Sequence, residues 1–445
     1  MSRSIVLANS LVGRTLVEID RLREDNFDAM VAACVNAPSV RWAGLRAGLT
    51  TADIREVASL VPDDLARLSP PGSTDLLISP AGPGQVLRSS GTSRTSKLMY
   101  HSWAFNTQVG ALGARGLRDG VRHRPRKIAN WFYPSELMGG AFLFVQEIAK
   151  HLDAMVFPVG SQCSVGDLLA LVKDHSIDTL ACTPAQCMDL VRHVGDGDLG
   201  SLSTILYIGE PVGTNRMEAI LRLQPALSLR SLAYSTSETG PIGFQCAEST
   251  GTEHHLHSDA VLVEIVDENG RPVADGEVGN VLVTPLSDSG MVLFRYRVGD
   301  RATMRAAGCP CGVQTPLLTL QGREPRSANI DTKVISEEQL LAVLEPLGLS
   351  GPGMIQLQYQ QGPGGVEVHL VVDGPQLAGL ANGPENVLTE LRRQPQIRSL
   401  MTSRSCRIFA VASDTDRAFV RTSTGKVPFF AEILSATSYS GEQHG

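Results

Sequence analysis

The sequence predicts an α/β protein. It has a large N-terminal domain of mixed and parallel sheets with a β-rich subdomain, and a small α+β C-terminal domain. Between residues 150 and 240, short apolar runs that end in turns alternate with segments of helical periodicity, which is typical of a parallel sheet with covering helices. From about residue 255, apolar and polar residues alternate with a period of two, which favours antiparallel strands.

The elements follow in chain order. The first eighty residues favour helices and connectors, with helical spacing in "RTLVEIDRLREDNFDAMVAACVNA". The alternating region then predicts strands in "DAMVFPVG", "IDTLACTP", "LSTILYIGEP" and "LRSLAYSTSETG", with helices in "SVGDLLALVKDHS" and "AQCMDLVRHVG". Ligands of such sheets bind at the loops beyond the C-terminal ends of the strands.

The last third of the chain contains two kinds of structure. "AVLVEIVDENGRPVADGEVGNVLVTPL" predicts antiparallel strands around the turn "DENGRP". A smaller unit follows, with a helix "SEEQLLAVLEPLG" capped by Ser336, a hairpin "IQLQYQQGPGGVEVHLVVDG" and a helix "PENVLTELRRQP". We place the boundary near Gly322–Arg326, which gives domains 1–322 and 323–445.

The bulk properties are those of an ordinary globular protein. The chain has 445 residues, of which 42% are hydrophobic and 19% charged, and a formal net charge of −7 at pH 7. This balance favours neither a nucleic-acid nor a membrane partner, and no apolar run approaches the roughly 20 residues that span a bilayer. The cysteines, without a secretion signal, favour reduced thiols or metal ligands. We therefore expect a cytoplasmic protein.

The hydroxyl-rich loop "RSSGTSRTSK", from Arg88 to Lys97, has two interpretations. Its hydroxyls and the backbone N–H groups around Gly91 could hold an anion, with Arg94 or Lys97 supplying charge. Ser, Thr and Gly are also the residues of ordinary surface turns. The loop alone does not decide between the two.

Four further segments, taken in order with this loop, give a stronger pattern. Glu238 and Asp300 each follow a predicted strand, and Lys426 lies beside a glycine. The segments are "YSTSETG" (Tyr234–Gly240), "FRYRVGD" (Phe294–Asp300), "GREP" at the boundary and "RTSTGK" (Arg421–Lys426). Their order resembles the adenylate-forming superfamily of acyl-CoA synthetases, peptide-synthetase adenylation domains and luciferase. The chain is most similar to the phenylacetate-CoA ligase branch, from about residue 30 to 430.

The resemblance implies an acid–thiol ligase that uses ATP to activate a carboxylic acid. The acid joins the α-phosphate as an acyl-adenylate, pyrophosphate leaves, and the acyl group passes to a thiol while the small C-terminal domain moves. Because two anions must meet, the site needs Mg²⁺ and a lysine to neutralise charge, and it needs groups that orient the attack. The implied cofactors are ATP, Mg²⁺ and either CoA or phosphopantetheine.

The resemblance also implies roles for individual residues. Taken one at a time, Glu238, Asp300 and Lys426 could each be surface charges, so the roles depend on the whole pattern. The nucleotide-binding set is Ser89, Ser90, Gly91, Thr92, Ser93, Lys97 and Ser237 toward the phosphates, Gly209, Glu210, Pro211 and Tyr234 at adenine, and Asp300 on the ribose hydroxyls. The catalytic set is Glu238 as the Mg²⁺ carboxylate, the interdomain Arg323, and Lys426 between substrate carboxylate and α-phosphate.

A separate group of thiols and imidazoles predicts a structural zinc site. "GCPCG" carries Cys309 and Cys311, and "FQCAESTGTEHHLH" carries Cys246 and His255. Three thiols and one imidazole satisfy tetrahedral Zn²⁺, although surface cysteines are the alternative. The phenylacetate-CoA ligase branch has a similar arrangement, which favours zinc and selects His255 over its neighbours. Cys182 and Cys187, in a predicted strand and helix, are expected to be packed in the core.

The acid is only partly specified. "ANWFYPSELMGG" lies where the family builds its acyl pocket, and Trp131, Phe132 and Tyr133 could form the wall for a small aromatic acid. They could equally be core residues. We expect a small aryl acid in preference to a long fatty acid.

The chain departs from the family in two places, which leaves the acceptor open. The phosphate loop has Arg94, Thr95 and Ser96 in place of Gly-Lys-Pro. After the boundary, Pro325 or Arg326 replaces the usual acid and Thr332 the usual glycine, which restricts the backbone where a thiol should enter. One alternative passes the acyl group to a carrier-protein thiol or an amine. Another is a degenerate nucleotide-binding homologue without turnover. A homodimer also stays open.

Overall fold

The computed structural model divides the chain into two compact units, Met1–Glu324 and Pro325–Gly445. The structure describes residues 5–80, 82–88, 97–121, 123–132, 138, 140–194, 199–208, 212, 214–224, 226–306, 308–323, 327–330, 333–351, 353–362, 365–403, 406–421 and 427–433.

The first unit begins with helices and a two-stranded sheet. Helix α1 starts at a capping box, because the Thr15 hydroxyl accepts the backbone N–H of Glu18 while the Glu18 carboxylate accepts that of Thr15. The elements are α1 (Leu16–Asn36), a 3₁₀ turn (Thr51–Glu56), α2 (Pro62–Leu68), strands β1 (Gly84–Arg88) and β2 (Leu98–Ser102), and α3 (Trp103–Gly120). Strands β1 and β2 pair antiparallel and flank the hydroxyl-rich loop.

A five-stranded parallel sheet follows, in the order β4-β3-β5-β6-β7. Its elements are β3 (Lys127–Asn130), α4 (Ala141–Leu152), β4 (Met155–Phe157), α5 (Val165–His175), β5 (Thr179–Cys182), α6 (Pro184–Val194), β6 (Thr204–Tyr207), α7 (Thr214–Leu223) and β7 (Ser228–Ser231). Leu180 and Cys182 join one apolar cluster, whereas Ala181 joins another. Successive strand residues point to opposite faces, so both faces are covered and the α/β prediction is confirmed.

A seven-stranded antiparallel sheet completes the first unit, in the order β11-β12-β13-β14-β10-β9-β8. The strands are β8 (Tyr234–Thr236), β9 (Gly240–Phe244), β10 (Glu253–Leu256), β11 (Val261–Val266), β12 (Gly279–Pro285), β13 (Tyr296–Arg305) and β14 (Leu317–Arg323). The predicted antiparallel strands beyond residue 255 are confirmed by the β11–β12 pair.

One placement in this sheet differs from the sequence prediction. Asp300 was expected to follow a strand, but it lies inside β13. The strand continues through Gly299, whose φ of 79° only glycine adopts easily. The pairing with β12 is irregular across this stretch, and such a bulge hides the two-residue period in the sequence.

The second unit is an α+β structure around a four-stranded sheet, in the order β19-β18-β17-β20. Its elements are β15 (Ser327–Ile330), β16 (Lys333–Ser336), α8 (Glu337–Leu344), a 3₁₀ turn (Glu345–Leu347), β17 (Ile355–Gly362), β18 (Gly365–Val372), α9 (Gly374–Ala378), α10 (Gly383–Leu391), α11 (Pro395–Met401), β19 (Cys406–Ser413) and β20 (Phe430–Glu432). Ser336 caps α8 as predicted, and β17 and β18 form the predicted hairpin. Within the described residues, no helix is both long enough and apolar enough to cross a membrane.

Candidate nucleotide site and thiol–imidazole cluster

The antiparallel sheet positions several of the residues expected to bind nucleotide. Tyr234 lies on β8, Ser237 and Glu238 lie in the turn between β8 and β9, and Asp300 lies on β13. The backbone of Asp300 pairs directly with that of Arg323 at the end of β14. Pairing between strands therefore places two residues adjacent that are separated along the chain.

Glu238 is the centre of a buried polar triangle. The Lys97 ammonium lies 2.9 Å from its Oε1 and 3.0 Å from the hydroxyl of Tyr296. That hydroxyl in turn donates to Glu238 Oε1 over 3.2 Å. The side chains of Lys97 and Glu238 are each only 9% exposed, so this is an enclosed ion pair.

The triangle determines the charge of Glu238. Burial raises the pKa of its carboxyl, but the attraction of Lys97 and the hydrogen bonds from Lys97, a backbone N–H and Tyr296 outweigh that effect. The pKa of Glu238 therefore lies below its ordinary value, and the group is a carboxylate at neutral pH.

His101 supports the same turn from strand β2. Its Nε2 donates to the carbonyl oxygen of Ser237 over 2.9 Å, and its ring packs edge-on against Phe105. The side chain is buried, and burial lowers the pKa of His101 to about 4. His101 is therefore a neutral positioning residue at pH 7.

Tyr234 and Asp300 are linked across the sheet. The Tyr234 hydroxyl donates to Asp300 Oδ2 over 3.0 Å. The tyrosine ring lies against His254, with 5.8 Å between ring centroids. This bond fixes the direction in which the carboxylate presents its oxygens.

Other expected site residues cannot be placed in the same way. Arg323 is described through its backbone only. Ten predicted residues lie outside the described part of the chain: Ser89, Ser90, Gly91, Thr92, Ser93, Tyr133, Gly209, Glu210, Pro211 and Lys426.

Trp131 and Phe132 are core residues in this structure. They follow strand β3 and are 3% and 2% exposed. Trp131 packs in the apolar cluster on one face of the parallel sheet, and Phe132 packs in the cluster on the other. This segment was interpreted either as the wall of an acyl pocket or as core. Core packing accounts for the burial of both Trp131 and Phe132 without a ligand.

The predicted thiol and imidazole groups lie together. One ligand atom from each of Cys246, His255, Cys309 and Cys311 lies within 4.8 Å of every other. Cys246 Sγ is 3.5 Å from Cys309 Sγ, and Cys311 Sγ is 3.2 Å from His255 Nε2. Cys246 follows β9, His255 lies on β10, and the other two lie in the loop between β13 and β14, so the cluster connects three parts of one sheet.

The cluster fits zinc chemically. Three sulfurs and one nitrogen are a tetrahedral donor set, and sulfurs about 2.3 Å from a zinc ion lie roughly 3.7 Å apart, close to the observed spacing. Burial raises the pKa of Cys246, but hydrogen bonds from His255, Ser249 and neighbouring groups lower it to about 6. These hydrogen bonds favour the thiolate form of Cys246, which is the form that binds a metal. Cys182 and Cys187, outside this cluster, are fully buried as expected.

Two residues of the site were missed by sequence reasoning. Tyr296 lies in the quoted "FRYRVGD" segment, but only Asp300 was selected from it. His101 lies four residues beyond Lys97 and carried no motif. His101 contacts Ser237, 136 residues away, and Tyr296 contacts Glu238, 58 residues away, so the sequence offered no local signal.

Comparisons with known proteins identify relatives of this chain. Residues 148–285 match the family model described as AMP-binding enzyme. The chain is 27% identical over 209 residues to phenylacetate-coenzyme A ligase of Escherichia coli, a match that covers 43% of this chain and 47% of that protein. It is 30% identical over 174 residues to the Thermus thermophilus ligase of the same name, which covers 37% and 38%. The matches thus span less than half of these curated relatives.

Solved structures show the same fold over nearly the whole chain. A 2-hydroxyisobutyryl-CoA ligase in complex with 2-HIB-AMP superposes with a TM-score of 0.62 at 15% identity, over 96% of this chain and 93% of that one. An acyl acid amido synthetase in complex with 2,4-DB superposes with a TM-score of 0.59 at 14% identity, over 93% and 92%. The AMP-binding segment, the curated ligases and the shared fold confirm the resemblance of this chain to the adenylate-forming superfamily, with phenylacetate-coenzyme A ligases among its relatives.

Proposed function

We propose that this protein activates a carboxylic acid with ATP and then transfers the acyl group to CoA. One observation carries the proposal. Tyr234 and Asp300, to which the resemblance gives adenine and ribose roles, are hydrogen-bonded across one antiparallel sheet, and Glu238, to which it gives the Mg²⁺ role, lies in the turn between two strands of that sheet. The match of residues 148–285 to AMP-binding enzymes supports the same assignment.

The proposed reaction has two steps. A substrate carboxylate oxygen attacks the α-phosphorus of ATP, the bond to the β-phosphate oxygen breaks, and pyrophosphate leaves. A thiolate sulfur then attacks the acyl carbon of the acyl-adenylate, and AMP leaves with its phosphate oxygen. In the first step, two anions approach one another, so positioned cations and orientation supply the catalysis.

We assign the parts of the chain accordingly. Residues 1–322 form the adenylation domain that binds ATP and acid, and residues 323–445 form the small mobile domain that carries Lys426. Asp300 binds the ribose hydroxyls with two acceptor oxygens. His101 and Tyr234 hold Ser237 and Asp300 in place.

Magnesium enters this proposal with ATP. Glu238 Oε1 does not fit an open Mg²⁺ ligand atom, because an ammonium and a phenol hydroxyl already contact it. The thiol–imidazole cluster fits Zn²⁺, and we infer a structural zinc bound by Cys246, His255, Cys309 and Cys311. That ion would tie loops of the antiparallel sheet together and takes no part in the chemistry.

Acid-dependent exchange of pyrophosphate into ATP tests the first step. A panel of small aryl, hydroxy and aliphatic acids should contain at least one that supports exchange, and Lys426→Ala should abolish it. Lys173→Ala, on an exposed position of α5, is the matched control and should leave exchange unchanged. Silence across the panel would favour the degenerate homologue.

The acceptor is tested next with an active acid. CoA, a phosphopantetheinylated carrier protein and amines are supplied separately, and release of AMP is measured. We expect CoA to accelerate AMP release. Acceleration only by the carrier or by an amine would move the proposal to the alternative acceptor, which Pro325 and Thr332 beyond the boundary make worth testing.

A further inference from the structure

The ammonium of Lys97 lies on the carboxylate that the family resemblance assigns to Mg²⁺. We propose that Lys97 takes the place of a divalent cation on Glu238. The positive charge that this part of the site presents to the nucleotide phosphates is then the Lys97 ammonium. The inference rests on the proposed function, because Glu238 faces phosphates only if ATP binds here.

The geometry leaves little room for another cation on this oxygen. Glu238 Oε1 accepts from Lys97 Nζ at 2.9 Å and from the Tyr296 hydroxyl at 3.2 Å. Lys97 Nζ also donates to that hydroxyl at 3.0 Å. Mg²⁺ requires oxygen ligands at about 2.0–2.1 Å in near-octahedral order. To bind Oε1 it would have to displace both donors.

The charge balance favours the ammonium. Both side chains of the pair are 9% exposed, so a displaced Lys97 would leave an unpaired cation in a poorly solvated place next to a divalent ion. Breaking a buried pair in this way is strongly unfavourable. Glu238 is therefore neutralised from within the chain before any ligand arrives.

The ammonium can still act on a nucleotide. Lys97 has three N–H donors, and two of them are used by Glu238 and Tyr296. The third has no hydrogen-bond partner among the described residues. In the sequence, Lys97 directly follows residues 89–96 of the hydroxyl-rich loop, so this donor belongs to the segment to which we assign phosphate binding.

The test measures ATP binding to the full chain by calorimetry, with EDTA and with excess MgCl₂. Wild-type affinity should change by no more than a few-fold between the two conditions. In EDTA, Lys97→Met should weaken binding roughly tenfold or more, since one charge-assisted hydrogen bond is lost. Added Mg²⁺ should restore affinity in Lys97→Met, because Glu238 then lacks its protein cation, but not in Lys97→Met/Glu238→Gln.

A matched control is the exposed pair on α4. Lys150 lies 2.6 Å from Glu147, with the lysine side chain 69% exposed. Lys150→Met should bind ATP like the wild type in both conditions. If the affinity of the wild type for ATP depended on Mg²⁺ as strongly as that of Lys97→Met, the proposal would be overturned.

A second measurement is independent of ATP. Lys97→Met and Glu238→Gln should each lower the thermal midpoint by several degrees, and the double variant should be no less stable than either one. Additive losses would overturn the proposal. If the wild type bound no ATP in either condition, the proposed function would fail, and these midpoints would still decide whether Lys97 holds Glu238.

Discussion

Arg115 and Asp259 form a fully buried, bidentate ion pair. Arg115 Nη1 lies 2.7 Å from Asp259 Oδ2 and Nη2 lies 2.7 Å from Oδ1, with side-chain exposures of 1% and 0%. The backbone of Ala8 joins the pair, because its N–H donates to Asp259 and its carbonyl accepts from Arg115. The ion pair therefore connects helix α3 to the turn before β11 and to the segment before α1.

Replacing Arg115 should destabilise the first unit severely. Arg115→Met leaves the Asp259 carboxylate buried without its cation, and we expect the free energy of unfolding to fall by about 3–5 kcal/mol. Urea denaturation followed by tryptophan fluorescence measures the loss. Arg118→Met, at an exposed position on the same helix, should cost much less, and equal losses would contradict the role given to the pair.

Removing the Tyr234 hydroxyl should weaken nucleotide binding moderately. Tyr234→Phe keeps the ring but removes the donor to Asp300 Oδ2, so the KM for ATP in pyrophosphate exchange should rise about two- to tenfold. Tyr359→Phe, on β17 in the second unit, is the control and should leave this KM unchanged. An unaltered KM in Tyr234→Phe would show that the hydroxyl does not position Asp300.

Removing the paired thiols should remove zinc. Metal analysis of the purified wild type should give about one zinc per chain, as four ligands require. Cys309→Ser/Cys311→Ser should give almost none and a lower thermal midpoint. Cys406→Ser, at a half-buried cysteine of the second unit, should keep the metal. Unchanged stoichiometry in the double variant would refute the ligand set.

Acid should destabilise the first unit partly through His101. The pKa of this imidazole falls from 6.5 to about 4 on burial, so between these values the unfolded chain binds a proton that the folded chain does not. The contribution of His101 to stability is therefore fully present above pH 6.5. As the pH falls toward 4, roughly 3 kcal/mol of it is lost.

His101→Gln isolates that contribution. Glutamine retains an N–H donor for the Ser237 carbonyl but does not titrate, so the variant should lose less stability than the wild type between pH 6.5 and 4. The measurement is urea denaturation at a series of pH values. His123→Gln, at an exposed position, should follow the wild-type curve. Parallel curves for His101→Gln and the wild type would contradict the assignment.

Local patterns in the sequence predicted the fold well where a structural signal is local. The strand containing Leu180 and the helix capped by Ser164 were both found, because period and capping are read from consecutive residues. The position of Asp300 within β13 was missed, since the bulged register has no such signature. The four thiol and imidazole groups were found from their spacing together with the family resemblance.

The polar triangle could not be predicted. Lys97 and Glu238 are separated by 141 residues along the chain, and Lys97 and Tyr296 by 199. Their meeting depends on how β2 and the two strands β8 and β13 pack in three dimensions. Motifs identify residue types suited to phosphate binding. They do not reveal that Lys97 already neutralises the charge of Glu238.

The bond between Tyr234 and Asp300 has a thermodynamic corollary for the proposed nucleotide site. A side chain that must be immobilised when a ligand arrives costs about 0.5–1.5 kcal/mol of affinity. Rotation of this carboxylate is already arrested by the phenol before binding. A ribose that binds there would meet a carboxylate already in its binding orientation. The conformational entropy of the Asp300 side chain is then lost during folding and not during binding.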